Sequence, residues 1–127
     1  MAYSPVFGDW ITQKRIEKQV SLRKMAEKLN YSAPFWSDVE KAVKMPPEIS
    51  KLEEIARILD LTEEEKITMF NLAGEVRQTI APDLPDYIRQ RDYVAAALRT
   101  ARDLNAGEKE WRKFAEDLKK RKKGSKG

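Results

Sequence analysis

The 127-residue chain contains no cysteine and no histidine. Those two absences exclude disulfides, thiol nucleophiles, thiolate zinc sites and imidazole general bases together. Any metal would need carboxylate ligands alone; no metal and no cofactor is expected. A thiol-free chain fits a reducing compartment. Long hydrophobic runs are missing too, since none approaches the roughly 18 residues of a membrane span. Met1 to Gly8 lack a charged segment followed by a continuous apolar stretch, so no secretory signal is expected. These exclusions lead to the expectation of a cytoplasmic, soluble protein with no membrane partner. Strand-like alternation of β-branched residues is nearly absent.

What is present is charge on a helical pattern. Hydrophobic residues make up 41% of the chain and charged residues 36%, with a formal net charge of +4. That composition suits helices with long solvated faces, and the mild basic balance admits nucleic acid as a partner without requiring it. The length allows one domain, or one small domain with an appendage.

Along the chain, Val6 to Gln19 reads as a first helix, with Phe7, Trp10 and Ile11 on one side. Ser21 is placed to cap a second helix, on which Leu22, Met25, Ala26 and Leu29 share a face. Asn30 suits a left-handed turn. Ser32 is placed to cap a third helix, Ala33 to Lys41, with Trp36 and Val39 turned inward. After Met45-Pro46-Pro47, the Ser50/Glu53 spacing predicts a capping box for a fourth helix carrying Leu52, Ile55, Ala56 and Leu59. The Thr62/Glu65 spacing predicts another for a fifth, with Ile67, Phe70 and Ala73, ended or bent at Gly74. Glu63-Glu64-Glu65 reads as an acidic helix start favoured by the helix dipole rather than a metal site. Pro82 and Pro85 mark a weak stretch. Then Val94, Ala97, Leu98 and Ala101 form one stripe and Trp111, Phe114, Ala115 and Leu118 another. The break Asn105-Ala106-Gly107 between them predicts a helical hairpin. The expected layout is a domain over residues 1–75, a helical extension over 76–118 and a basic disordered tail over 119–127.

The second and third helices, joined by Asn30-Tyr31-Ser32, have the length of a helix-turn-helix. Ala26 is small enough for close approach, and Tyr31, Trp36 and Val39 would bury the inner side of the third helix. Its outer side is then free to enter a major groove. A wider run carries more information: Phe7-Gly8-Asp9-Trp10-Ile11 to Arg15, Val20 to Ala26, Tyr31-Ser32, Trp36 to Lys41, Pro46-Pro47 and Leu52 to Ala56. In order and spacing this run resembles the XRE family of transcriptional regulators, over Phe7 to Gly74. Asp83 to Leu118 more loosely resembles tails found on some of these regulators. The resemblance implies an all-α chain: a five-helix, lambda-repressor-like DNA-binding domain followed by a C-terminal helical extension. It implies an ion pair between Arg15 of the first helix and Glu40 ending the recognition helix. It assigns base reading to Ser32, Ala33, Pro34, Phe35, Ser37 and Asp38.

That set holds no Gln, Asn or Arg for bidentate base contacts. Ala33, Pro34 and Phe35 could meet thymine methyls and Asp38 a cytosine amino group, so modest direct readout aided by DNA shape is expected. The plainer alternative stays open: Pro34 starts the helix and Phe35 packs against a partner. By position, Arg23, Lys24, Lys41, Lys44 and Lys51 are the phosphate-contacting candidates, each of which could equally be a solvated surface charge. The sequence departs from the family at Ala42, where glycine is usual, and at Val43, where a basic residue is common.

Three readings of the second half stand together: a dimerisation element, a surface for a protein partner such as a toxin, or an added layer on the first domain. Val94, Leu98, Trp111, Phe114 and Leu118 are the interface candidates. The leading expectation is a double-stranded DNA-binding regulator, a repressor, working as a homodimer. The alternative is an antitoxin-type interaction module that binds a toxin and autoregulates its operon. Catalysis is not expected.

Overall fold

The structure, a computed structural model, describes residues 2–124. Among these residues there are eight helices and no strand. They are α1 (Val6–Glu17), α2 (Leu22–Lys28), α3 (Ala33–Glu40), α4 (Ile49–Ile58), α5 (Glu63–Arg77), α6 (Pro85–Arg89), α7 (Asp92–Asp103) and α8 (Glu108–Gly124). The chain divides into two compact units, Met1–Asp86 and Tyr87–Gly127. It is all-α, five helices followed by a helical extension.

In the first unit α1 packs on α3 and α5, α2 on α3, and α4 on α5. The apolar stripes of all five helices meet in one core that includes Phe7, Ile11, Met25, Trp36, Leu52 and Met69. Helix starts follow local chemistry. Ser21 Oγ accepts from the Lys24 N–H at 3.1 Å and Ser32 Oγ from the Phe35 N–H at 3.2 Å. Thr62 and Glu65 form a reciprocal capping box. The Thr62 N–H and the Lys14 ammonium, 3.0 Å from Glu65 Oε2, hold the Glu65 carboxyl down to about 2.

Helix ends share one device. In α1–α5 and α7 the residue closing the turn is left-handed: Gln19, Asn30, Ala42, Asp60, Gln78 and Asn105, with φ between 49° and 63°. The following N–H reaches back five residues, as in Val20 N–H to Arg15 O and Val43 N–H to Asp38 O. This is the Schellman ending, which satisfies the last carbonyls of a helix. None of the six positions is glycine, although an L side chain costs roughly 1 kcal/mol there.

Four expectations need correction. The first helix stops at Glu17, because Gln19 is the left-handed residue that closes it. Ser50 does not cap α4; the helix starts at Ile49, two residues earlier than a Ser50 cap implies, with Glu48 in extended conformation at its N-cap. Gly74 does not stop α5, which continues to Arg77. Its missing side chain instead admits the returning chain, since a Cβ there would stand 3.0 Å from Ala81 Cα. The disordered tail expected over 119–127 is helical as far as Gly124, and 125–127 lie outside the described residues. Lysine and arginine are good helix formers, and cations are favoured at a helix C-terminus, so basic composition is no bar to helix there. Helix α6, in the proline-punctuated stretch, was not anticipated.

In the second unit, Tyr87 to Lys122 include no buried residue. Helices α7 and α8 are separated by Leu104 to Gly107, and Val94, Leu98, Trp111 and Phe114 of the two helices line one open groove. No helix of the described residues is long and apolar enough to cross a membrane.

Candidate nucleic-acid interface

The position of α3 is set from its inner side. Trp36, Val39 and Glu40 are buried, and the Tyr31 ring stacks on Trp36 with centroids 6.2 Å apart and planes 14° from parallel. Burial, reinforced by Glu54 and Glu48, pushes the Tyr31 hydroxyl above its ordinary value, so it stays protonated.

At the C-terminal end of α3 a charged clamp joins it to α1. Arg15 Nε donates to Glu40 Oε2 at 2.7 Å and Arg15 Nη2 to Oε1 at 3.1 Å, a bidentate pair. Arg15 Nη1 also donates to the Val20 carbonyl at 2.9 Å, and Thr12 Oγ1 to Glu40 Oε1 at 3.1 Å. The two side chains are only 11% and 5% exposed. Bidentate geometry fixes orientation as well as distance. The net stabilisation of such a pair is small, because desolvation opposes attraction, but loss of one partner strands the other.

Sequence reasoning missed two participants in this clamp. Thr12 is one. Gly8 is the other: a Cβ on it would collide with the Glu40 carbonyl oxygen. That absent side chain lets α1 lie directly on the end of α3. The available signal was a glycine inside a helical stretch, where it costs about 1 kcal/mol against alanine and so points to a packing need.

The outer side of α3 is mixed. Ser32, Pro34 and Phe35 are exposed, while Ala33, Ser37 and Asp38 are half-buried. The Phe35 ring lies 4.8 Å from that of Tyr31 and remains 38% exposed. Ser32 Oγ is occupied by its capping bond, which narrows what it can offer a base. Beyond the helix, Val43 and Met45 are exposed on either side of Lys44. Ser37, Glu40 and Lys41 line one side of an open cleft of about 630 Å³, faced by Asp9, Thr12 and Gln13 of α1 and by Leu22.

The five basic candidates separate. Arg23, Lys24, Lys41 and Lys44 are exposed. Lys51 has a structural role, with Nζ 2.6 Å from the Leu29 carbonyl oxygen, 3.6 Å from Glu54 Oε2 and 5.1 Å from the centre of the Tyr31 ring. It ties α4 to the α2–α3 turn.

In the second unit Tyr87, Tyr93, Val94, Ala97, Leu98, Trp111 and Phe114 line a groove of about 300 Å³. Leu118 is exposed and is not among its lining residues. Trp111 meets Phe114 edge-on, with centroids 6.2 Å apart. Among the described residues no group of acidic side chains is arranged to hold a metal ion.

No protein-family model matches the chain. No curated protein matches it either. Among solved structures it is similar to one titled a complex of SinR protein and SinI protein, at 24% identity. The alignment covers 92% of this chain and 98% of that one, with a TM-score of 0.42. Likeness at that level does not establish a common fold.

Proposed function

We propose that the chain is a sequence-specific double-stranded DNA-binding regulator, a repressor that works as a homodimer with α3 in the major groove. The observation that carries this reading is the asymmetry of α3. Its inner side is fixed by Trp36, Val39 and the Arg15–Glu40 clamp, while Pro34 and Phe35 are left to solvent. Exposed Arg23, Lys24, Lys41 and Lys44 belong to the same helix-turn-helix and its exit. Phosphate contacts would fix register, and Phe35 with Asp38 would discriminate thymine methyls and cytosine amino groups.

Selection from random duplexes, followed by anisotropy titrations across salt, tests it. Four phosphate-neutralising cations imply a log–log salt slope of about −3.6 per half-site, with each of Arg23→Ala and Lys44→Ala reducing it by about 0.9. Phe35→Ala and Asp38→Ala should alter the selected sequence. Weak, salt-insensitive binding to every duplex would overturn the reading.

A second reading is favoured by exposed Phe35, Val43 and Met45 around α3. It is an antitoxin-type module whose toxin partner covers apolar surface. Co-purification with the product of a neighbouring reading frame would support it.

A further inference from the structure

We infer that α3 reads 5-methylcytosine, taking the methyl group on Phe35 and the amino group of the same base on Asp38. The inference rests on the proposed docking of α3 in a major groove, and it goes further by naming one modified base. Phe35 and Asp38 stand three residues apart on α3. Side chains at that spacing are neighbours on a helix surface, with Cβ atoms about 5–6 Å apart.

The two side chains offer different chemistry. The Phe35 ring lies 4.8 Å from the Tyr31 ring and keeps 38% exposure. Tyr31 is in turn stacked on buried Trp36, and Lys51 Nζ stands 5.1 Å from its centre. Phe35 therefore presents an apolar surface backed by packed rings, and meeting a methyl group costs it little further rotamer freedom. Asp38 is half-buried, and its carboxylate takes part in none of the hydrogen bonds or ion pairs of the described residues. Its main-chain carbonyl accepts from the Val43 and Lys44 N–H groups at 2.9 and 3.2 Å, which fixes the backbone that carries it. An ionised carboxylate can only accept, so the base opposite must donate.

Base edges decide the match. In the major groove cytosine offers an N4 amino donor, while thymine offers a C5 methyl group beside an O4 acceptor. Cytosine satisfies Asp38 but leaves Phe35 without a methyl group. Thymine satisfies Phe35 but sets its O4 lone pairs against the carboxylate. 5-Methylcytosine carries the methyl group and the amino donor side by side. Exposed Lys41, three residues beyond Asp38, reduces the repulsion between that carboxylate and the phosphates. Ser32, Ala33, Pro34 and Ser37 supply no competing bidentate contact to a purine. A regulator built in this way responds to methylation of its site at cytosine C5, the product of a DNA cytosine methyltransferase.

Two pools of random duplexes test the inference on the full chain, one synthesised with cytosine and the other with 5-methylcytosine. The selected site is then rebuilt with cytosine, 5-methylcytosine, uracil or thymine at each selected pyrimidine in turn, the first two opposite guanine and the last two opposite adenine. At one position anisotropy should rank 5-methylcytosine tightest. The expected margin over cytosine is about fourfold, the worth of one methyl group taken from water. The margin over thymine should be at least about fivefold. Phe35→Ala should bring both methyl ratios, 5-methylcytosine to cytosine and thymine to uracil, to about one. Asp38→Asn gains an amide donor for O4 and should reverse the preference between 5-methylcytosine and thymine. Circular dichroism confirms that both variants are folded, and the ranking by the parent chain needs neither of them.

Binding of 5-methylcytosine no tighter than cytosine at every position overturns the inference. So does a methyl ratio that survives Phe35→Ala, or a ranking unmoved by Asp38→Asn. In each of those outcomes a duplex is still bound and the regulator reading stands. Absence of specific binding to either pool sinks the regulator reading, and this inference with it.

Discussion

Trp36 and Phe114 occupy equivalent places in the sequence pattern: each is an aromatic on the apolar stripe of an amphipathic helix. Trp36 is wholly buried, while Phe114 is 57% exposed. The difference lies in the supply of partners. Helix α3 packs against α1 and α2, and Tyr31 stacks on Trp36 from the turn between α2 and α3. Helix α8 has only α7 and Tyr87 of α6 beside its groove, and these leave its stripe partly open. Periodicity therefore states which face of a helix is apolar, but not whether the same chain can bury it.

The sharpest way to break that comparison is to truncate the equivalent aromatics. Trp36→Ala removes a fully buried indole and should destabilise the first unit by about 3–5 kcal/mol, measured by urea unfolding. Trp111→Ala should leave urea unfolding of a dilute sample within about 1 kcal/mol of the parent and act on self-association instead. Equal losses at low concentration would mean that the second unit is already a closed core, and the contrast would fail.

A second contrast sets the buried ion pair against an exposed one. Glu40→Gln leaves the nearly buried Arg15 guanidinium without its counter-charge, and a loss of about 3 kcal/mol is expected. Replacing both partners, as Arg15→Met with Glu40→Leu, should recover much of that loss, because the stranded charge goes with its partner. Glu108→Gln breaks a pair whose side chains are 73% and 74% exposed, and urea unfolding should not register it. Similar losses for the two single variants would show that the clamp between α1 and α3 has no special role in placing α3.

Much of this was legible beforehand, for identifiable reasons. Ser21, Ser32 and Thr62 announced helix starts because a side-chain oxygen at an N-cap does one local job whatever surrounds it. The same logic misread Ser50, which has the right neighbour in Glu53 but lies inside α4; spacing does not say which residue turns first. Lys51 was legible as a cation but not as a tether, since its partner carbonyl, that of Leu29, is 22 residues away. Gly8 and Gly74 were misread or passed over because both serve contacts with backbone distant in sequence. The basic run that begins at Lys119 reads as an unstructured tail, because composition alone does not distinguish a solvated helix from coil, yet α8 continues through it.

The smallest effects lie at the helix ends, where the two units use the same left-handed turn with different residues. Gln19 is exposed and adopts φ 58°, so Gln19→Gly should stabilise the first unit by up to about 1 kcal/mol, the strain released minus the added freedom of the unfolded chain. Ala42 has φ 63° but is only 3% exposed, so Ala42→Gly also forfeits a buried methyl group worth about 0.8 kcal/mol. The two terms nearly cancel, and a gain of no more than about 0.5 kcal/mol is expected. That cancellation explains how alanine is tolerated at a left-handed position. Asn105 in the second unit already tolerates the left-handed region, so Asn105→Gly should change stability by only a few tenths of a kcal/mol. Thermal unfolding of the three variants gives the order directly. If Ala42→Gly outranked Gln19→Gly, the Ala42 methyl would be strained rather than packed, and the exit from α3 would be a site of stored strain in the first unit.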